Sequence, residues 1–330
     1  MDEKIRVTSF NLENLFNRYA MLDTPWSGRD YEKLVQAVGL VSIASRSGDL
    51  DSYETTDIQR NNTAEAILQN RPDVLAVMEV ENIYSLRIFN HEYLSDYFDR
   101  VYLIDGNDPR GIDVGFLVRK GFKGEVQNIR THVDDMKKNA KKAVTWGSRP
   151  NFGYLAENAL FSRDCFEVDL KVGEKVLTFL VNHLKAQDGK DSSNQRRKEQ
   201  VDRILQLVKS TRAQGRHPVV LGDFNADVDA KTAAGKKAGA SLSTLVGAKE
   251  LIDTFAGLAD NWTHYYESDS AISRLDYILV DKDLGFGNQR ITREGLSKKC
   301  MQYTGPRFST VSYKHTEASD HCPVSVEITF

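Results

Sequence analysis

Carboxylates, imidazoles and side-chain amides stand at the ends of several short apolar runs of this sequence. Asn11 follows the first such run, and Asp223 and Asn225 follow the run 219–221. In sheet proteins, ligands gather at one edge of the strands, so we expect these side chains to converge there. The residues concerned are Asn11, Glu13, Glu79, His183, Asp223, Asn225, Asp276, Asp320 and His321.

A pocket of this composition predicts a divalent cation. Glu79, Asp223, Asp276 and Asp320 would repel one another strongly unless a metal ion neutralised them. Oxygen ligands favour Mg²⁺ or Mn²⁺, whereas zinc would require more histidine or cysteine. A hard cation beside two imidazoles suits hydrolysis of a phosphate ester. Any one of these residues alone is more often a turn or cap residue, so the prediction depends on the whole set.

Short apolar runs and one clear amphipathic segment indicate the elements that position these groups. Val201, Ile204, Leu205 and Val208 are spaced i, i+3, i+4 and i+7 within the polar segment 192–212, which predicts a helix with one buried stripe. A second amphipathic segment covers residues 57–69. The predicted buried strands are 5–10, 74–80, 114–118, 176–181, 219–221, 275–280 and 324–328.

The chain shows no solenoid repeat and no Pro- or Ser-rich linker, which favours one domain over residues 1–330. Three polar or small-residue stretches are predicted to be insertions, near 19–56, 131–158 and 230–243. Long loops on a compact α/β frame often bind substrate, so these stretches are candidates for that role.

Composition excludes several classes of protein. The chain has 330 residues, with 44 Lys and Arg against 47 Asp and Glu, so it is not basic overall, and any binding of a polyanion must depend on a local patch. Three cysteines do not make a disulfide framework, which favours a reducing compartment. No apolar run is long enough to span a membrane, and residues 1–10 lack the apolar stretch of a signal peptide. We expect a cytoplasmic protein, with secretion after removal of a leader as the alternative.

Six motifs occur in a fixed order along the chain. They are SFNLENLF at 9–16, MEVEN at 78–82, NHLKA at 182–186, GDFNAD at 222–227, RLDYILV at 274–280 and SDHCPV at 319–324. Together they resemble the ordered signature of the endonuclease/exonuclease/phosphatase superfamily, with a match that spans residues 5–329. The resemblance implies an α/β fold, a four-layer sandwich in which two mixed β-sheets pack face to face between outer helices.

The resemblance also implies roles for individual residues. Glu79 resembles the principal metal ligand of the family, and Asn11 and Asp320 complete the inner or water-mediated shell. Asp223 resembles the residue that orients or deprotonates the attacking water, and Asn225 the amide that holds the scissile phosphate.

His321 resembles the catalytic imidazole, with Asp276 accepting its other ring proton, a pairing that stabilises imidazolium as charge develops. His183 is typical of the deoxyribonuclease I-like branch, where a histidine binds phosphate or protonates the leaving group. Arg163 resembles a phosphate clamp of that branch, and a surface arginine at a strand start is the equal alternative.

The segment 109–120 departs from that branch. Arg110 stands where a tyrosine contacts phosphate, and Asp113 supports His183 only if the register slips by one residue. Because such a slip turns a strand side chain to the other face, these two assignments stay open. The phosphate-binding set is therefore Arg163, Arg110 and Asn11, the last also a metal ligand.

The predicted substrate is nucleic acid, cleaved by a Mg²⁺- or Mn²⁺-dependent phosphodiesterase, specifically an endonuclease acting on DNA with little sequence preference. RLDYIL and Ala226 depart from the inositol phosphatase pattern and agree with the nuclease pattern. The alternative is a phosphatase or phosphodiesterase for a small or lipid-derived phosphate ester. A binding protein without activity is disfavoured because the chain keeps all of Glu79, His183, Asp223, Asn225, Asp276, Asp320 and His321.

Local patterns leave further alternatives open. The basic segments 136–150, with Trp146, and 290–307 either track a phosphate backbone or are solvated loops. Trp262, Tyr265 and Tyr266 either line a groove or pack in the core.

Overall fold

The computed structural model describes residues 3–15, 19–21, 50–52, 56–108, 111–138, 140 and 158–330. Within these ranges the chain alternates strands with a few helices. The strands are β1 (Lys4–Leu15), β2 (Tyr19–Met21), β3 (Leu50–Ser52), β4 (Val74–Val80), β5 (Phe98–Leu103), β6 (Asp113–Arg119), β7 (Glu125–Arg130), β8 (Cys165–Val172), β9 (Lys175–His183), β10 (His217–Asp223), β11 (Leu251–Asp253), β12 (His264–Tyr266), β13 (Ala271–Ser273), β14 (Asp276–Asp281), β15 (Gly285–Ile291) and β16 (Val324–Thr329).

The α-helices in the described ranges are α1 (Asp57–Asn70), α2 (Ile83–Glu92), α3 (Asp191–Ala213), α4 (Ala233–Gly239) and α5 (Ser243–Val246). Short 3₁₀ turns cover Glu267–Asp269 and Lys314–Thr316. Thr56 caps α1 by accepting a hydrogen bond from the backbone N–H of Gln59, whose side chain in turn caps Thr56. No helix in these ranges has the length and apolar character needed to cross a bilayer.

Two mixed six-stranded sheets form the frame. The first has the order β15-β16-β1-β4-β6-β5, and the second has the order β11-β14-β10-β9-β8-β7. Each sheet contains one parallel pair near its centre, β1 with β4 and β10 with β9, while its other neighbours are antiparallel. The carboxyl ends of two neighbouring strands therefore meet at one edge in each sheet.

The inner faces of the two sheets pack against each other. Val7 and Phe116 of the first sheet and Phe179 of the second belong to one fully buried cluster, with the Phe116 and Phe179 ring centroids 5.1 Å apart. Alternation along each strand directs these side chains inward and their neighbours outward.

Helices cover both outer faces. Ile67 of α1 and Phe89 of α2 pack on Leu75 of the first sheet, and Ile204 of α3 packs in one cluster with Val220 of the second. The helix–sheet–sheet–helix arrangement confirms the expected four-layer sandwich.

The long helix runs over Asp191–Ala213, as its periodicity predicts, with Val201, Ile204 and Val208 buried and Leu205 half-buried. The stretch 230–243 differs from the expected irregular insertion, because α4 lies within it. Thr232 caps α4 by accepting a hydrogen bond from the Gly235 N–H, and Ala238 is buried beneath the helix layer. Most of the predicted insertions 19–56 and 131–158 lies outside the described residues.

Candidate active site

The site is assembled at the edge where both parallel pairs end. His183 and Asp223 end the parallel strands β9 and β10 and lie opposite each other in the register. Asp276 begins the antiparallel strand β14, so its register partner is Asp223 at the same edge. In the other sheet, Asn11 lies where the regular pairing of β1 with β4 is interrupted, and Glu79 is the penultimate residue of β4. The chain direction of the strands thus explains the convergence.

Asp223 lies at the centre of the polar contacts. Its Oδ2 atom accepts hydrogen bonds from Asn11 Nδ2 at 3.0 Å and from Asn225 Nδ2 at 3.1 Å. The same oxygen lies 3.4 Å from His183 Nε2 and 3.8 Å from His321 Nε2. One carboxylate therefore joins side chains from both sheets.

Burial raises the pKa of Asp223 to about 6, and the negative charges of Asp276 and Glu79 act in the same direction. The positive charge of His321 lowers this pKa but does not outweigh the burial. A carboxylate is harder to keep ionised when it is removed from water. Asp223 is ionised near neutral pH and basic enough to accept a proton.

His321 is held by Asp276. Its Nδ1 atom lies 2.8 Å from Asp276 Oδ2, and Thr263 Oγ1 donates to the same oxygen at 2.7 Å. The Thr263 hydroxyl also accepts the backbone N–H of Asp276, which fixes the carboxylate at the start of β14. Burial would lower the pKa of His321, but the charges of Asp276 and Asp223 outweigh it and raise that pKa well above the usual value. The raised pKa favours the imidazolium form, and Nε2 lies 3.8 Å from Asp223 Oδ2.

Further carboxylates lie around this pair. Glu79 Oε1 is 3.7 Å from His183 Nε2, and Asp320 Oδ1 is 4.0 Å from His321 Nε2. Glu13 Oε2 accepts the backbone N–H of Asp320 at 2.9 Å, and burial together with the charge of Asp320 raises the pKa of Glu13 to about 7.

This donor set fits a divalent cation. Ligand atoms of Asp223, Asp276 and His321 lie within 4.8 Å of one another, as do those of His264, Asp320 and His321. Burial, and to a lesser extent neighbouring carboxylates, raise the pKa values of Asp223 and Glu13, and a bound cation would offset both effects. The acidic cluster can therefore bind a metal ion through oxygen ligands.

Unusual backbone conformations occur at the same edge. Glu13, Glu79 and Asn225 have positive φ angles of 46°, 61° and 53°, and β1 and β4 change register between Asn11 and Leu15 and between Met78 and Val80. Bulges and left-handed residues re-aim side chains at a cost of order 1–3 kcal/mol each, and they concentrate at functional sites.

Arg163 lies beside the site but is anchored within the fold. Its Nε atom is 3.0 Å from Asp108 Oδ2, and Nη1 donates to the Leu184 carbonyl at 3.4 Å. Asn225 Nδ2 lies 3.2 Å from that same carbonyl oxygen. Arg163 is therefore a buried neighbour of Asn225, which differs from the alternative of a surface arginine.

The sequence also suggested Arg110 as a phosphate contact and Asp113 as a support for His183. Arg110 lies outside the described residues. Asp113 Oδ1 accepts the backbone N–H of Gly106 at 2.7 Å, and burial raises the pKa of Asp113 to about 7. Asp113 thus organises the turn before β6.

In the basic segment 290–307, two arginines make contacts within the fold, whereas Lys298 and Lys299 are exposed. Arg293 packs over the Trp262 ring at 4.1 Å and donates to Asp260, and Arg307 donates to several backbone carbonyls, including that of Leu296. Arginine side chains engaged in this way stabilise loops and are not arranged as a phosphate track. Most of the segment 136–150 lies outside the described residues.

Sequence reasoning found the main side chains of the site but missed the roles of three others. Glu13 was noted only for its position, and Thr263 and His264 were not singled out. His264 Nε2 lies 3.7 Å from Asp320 Oδ2, and its ring centroid is 4.6 Å from that of His321. The only sequence signal was a threonine and a histidine shortly before RLDYILV, which is too common to be informative alone.

Comparison with known proteins agrees with the fold. The family model described as Endonuclease/Exonuclease/phosphatase family matches residues 10–321, and no curated protein matches. Among solved structures, D. rerio TDP2 complexed with single strand DNA product is 12% identical, with a TM-score of 0.56 and 100% of each chain covered.

A Bacteroides thetaiotaomicron endonuclease/exonuclease/phosphatase family protein is 15% identical, with a TM-score of 0.58 and coverage of 100% of this chain and 99% of the other. The human Nocturnin catalytic domain with bound sulfate anion is 16% identical, with a TM-score of 0.56 and coverage of 100% and 96%. At these identities the structural likeness concerns the fold.

Proposed function

This chain belongs to the endonuclease/exonuclease/phosphatase family and is a hydrolase of phosphate esters, and we propose that it is a divalent-metal-dependent phosphodiesterase of nucleic acid. Within that class we propose an endonuclease that acts on DNA with little sequence preference. The observation that carries the proposal is the position of Asp223 Oδ2, within 3.0–3.8 Å of Asn11, Asn225 and both catalytic imidazoles. The D. rerio relative of similar fold, complexed with single strand DNA product, supports nucleic acid as the substrate class.

Asp223 is the proposed base. Its pKa of about 6 leaves it ionised at neutral pH, so it accepts a proton from the water that attacks phosphorus. Asn11 and Asn225 donate hydrogen bonds to Oδ2 and hold the carboxylate in one orientation.

The two histidines act on the phosphate oxygens. His321, kept protonated and oriented by Asp276, directs its Nε2–H toward a phosphoryl oxygen, where it opposes the growing negative charge. His183 Nε2 donates a proton to the ester oxygen that departs. Arg163 and Asn225, which share the Leu184 carbonyl, hold the remaining phosphate oxygens.

Glu79, Asp320 and Asn11 are the residues we propose to hold the metal ion, Mg²⁺ or Mn²⁺. When bound, such an ion supplies positive charge to the phosphoryl group and lowers the pKa of water. Hard oxygen ligands suit either ion.

We also propose that residues 1–330 form one domain. The strand β16 pairs with β1 over Ser9–Lys4, and both sheets contribute to the buried inner cluster. Separation of the two sheets would expose that cluster.

A substrate panel tests the function. Plasmid DNA, single-stranded DNA, RNA, inositol phosphates and sphingomyelin are incubated with Mg²⁺, with Mn²⁺ and with chelator. We expect nicking of plasmid with either metal and none with chelator. Asp223→Asn should abolish the activity, whereas the matched exposed variant Asp283→Asn should retain it. Phosphate release from inositol phosphates or cleavage of sphingomyelin, without cleavage of nucleic acid, would contradict the proposed substrate class.

A further inference from the structure

Three rings extend in a row from the catalytic imidazole toward solvent. His264 and His321 are partners in an antiparallel bridge, so their side chains lie on the same face, with ring centroids 4.6 Å apart. Tyr266 follows His264 by two residues along β12 and so shares that face. The rings of His264 and Tyr266 are nearly parallel, at 24°, with centroids 6.3 Å apart.

The outer ring borders a cavity that also reaches the proposed metal ligand. The cavity has a volume of about 350 Å³ and is lined in part by Tyr266, Lys314, Glu317 and Asp320. This volume lies within the roughly 300–1,000 Å³ that is usual for small-molecule sites. Tyr266 is 52% exposed, whereas Tyr265, its neighbour on the opposite face, is buried and donates its hydroxyl to the Lys299 carbonyl. Both tyrosines border the cavity, but only Tyr266 has a largely exposed ring.

The charges around the cavity disfavour a phosphate group there. Lys314 is the one cation among the described residues that line it, and its Nζ atom is already paired with Glu13 Oε1 at 2.9 Å. Asp320 adds negative charge, whereas burial together with the charges of Glu13 and Asp320 raises the pKa of Glu317 to about 8, so that side chain is mostly neutral near pH 7. A flat, uncharged group fits this lining better than an anion does.

We propose that this cavity binds the nucleobase of a nucleotide next to the scissile phosphate, stacked on Tyr266. This inference rests on the proposed function and adds that the nucleotide bound next to the scissile phosphate is unpaired. A base in a duplex is paired and stacked on its neighbours, so the bound nucleotide must be unpaired. Stacking tolerates every base, which agrees with cleavage that has little sequence preference.

The experiment uses single-stranded oligodeoxynucleotides that carry one cleavable phosphodiester between uncleavable linkages. In one set, the nucleoside on the 3′ or the 5′ side of that phosphodiester is replaced by an abasic residue, which leaves the reacting ester unchanged. With Mg²⁺ present, removal of the base on one of the two sides should lower kcat/KM of the wild-type enzyme at least about tenfold. The same loss should follow from Tyr266→Ala with the intact oligonucleotide, and Tyr266→Phe should retain the wild-type value because it keeps the ring.

The Tyr266→Ala enzyme should cleave intact and abasic oligonucleotides at equal rates, because the stacking partner is gone. Ile272→Ala is the matched control, since Ile272 is an exposed apolar residue of the same hairpin that pairs with Tyr265 and lies on the opposite face. Equal wild-type rates with and without either base, or a Tyr266→Ala rate equal to that of Ile272→Ala, would overturn the inference while the phosphodiesterase proposal stands. Failure to cleave any oligonucleotide would overturn both.

Discussion

His321 shows how a single side chain depends on groups from distant parts of the sequence. Asp276 orients its ring through Nδ1, Ser319 Oγ accepts its backbone N–H, and Asp223 faces its Nε2 atom. Its position within SDHCPV makes it identifiable from the sequence. The packing of His264 against its ring was not predictable, because that contact follows from a bridge between residues 57 positions apart that no local pattern encodes.

Replacement of His321 tests the assigned role. His321→Ala should lower turnover by at least about 10²-fold, because a positioned acid–base group contributes roughly that much. His315→Ala removes an exposed histidine of the same loop and serves as the control. Hydrolysis rates are compared at saturating substrate, with circular dichroism to confirm folding. A near-normal rate for His321→Ala would contradict its place in the reaction.

The raised pKa of Asp113 predicts how the free energy of unfolding depends on pH. Burial raises its pKa from 3.8 to about 7 in the folded protein, so the folded state prefers the neutral carboxyl. Below about pH 4 the group is protonated in both folded and unfolded chains and has no effect on the free energy of unfolding. Between about pH 4 and 7, Asp113 ionises in the unfolded chain but not in the folded one, so the free energy of unfolding falls as the pH rises. Above about pH 7 this loss of stability is complete.

Asp113→Asn should therefore be more stable than the wild type at pH 8, by on the order of 3 kcal/mol, and equally stable near pH 4. Denaturant titration at several pH values measures the difference. Asp99→Asn, at an exposed position, should show no such dependence. A stability difference for Asp113→Asn that does not change with pH would contradict the raised pKa.

At the scale of elements, the apolar runs predicted the central strands of both sheets, and periodicity predicted the two longest helices of the described ranges. Every predicted apolar run contributes to a strand, because burial on both faces requires continuous apolar residues. The short helix α4 was not foreseen, since its sequence of Ala, Gly and Lys has no apolar stripe and Gly lowers helix propensity. The cap at Thr232 and the burial of Ala238 in the cluster that contains Val201 and Leu242 stabilise it instead.

Gly222, in β10, allows this strand to lie close to the backbone of β9 near the site. Its φ angle is 131°, and a Cβ atom at this position would lie 1.9 Å from the Asn182 carbonyl oxygen of β9. Gly222→Ala should therefore lower the free energy of unfolding by at least about 2 kcal/mol, because the backbone must shift and the φ angle is strained.

Gly257→Ala is the matched control, since a Cβ atom at residue 257 would have no other atom within 4 Å and the φ angle there is not positive. Thermal and denaturant unfolding of both variants give the comparison. Equal stability of the two variants would show that β9 and β10 can separate at this point without loss.

At the scale of the whole molecule, the order of six motifs allowed the four-layer sandwich to be predicted, whereas composition gave only a globular protein. The pairing of strands far apart in sequence, such as β1 with β16, is not visible in any local pattern. The pairing places Val326 and Ile328 beside Val7 and Ile5, and all four side chains belong to the buried cluster between the sheets.

Metal binding should change the stability of the entire fold. An ion that binds only the folded chain stabilises it by about 2.7 kcal/mol at one hundred times its dissociation constant. Addition of Mg²⁺ or Mn²⁺ should therefore raise the melting temperature by several degrees, and chelator should reverse the rise. Asp320→Asn should lose this response, and Asp283→Asn should keep it. An unchanged melting temperature in the wild type would contradict the proposed metal site.

The two sheets that carry the site residues are completed at different points along the chain. Asp223 and His183 belong to a sheet made entirely of residues 125–281, whereas the sheet that holds Asn11 and Glu79 needs β16 next to β1. The second sheet can therefore form before the first one closes, and the proposed catalytic groups cannot meet until residues 320–329 have docked. In refolding experiments, enzymatic turnover should then return only after the bulk of the strand signal.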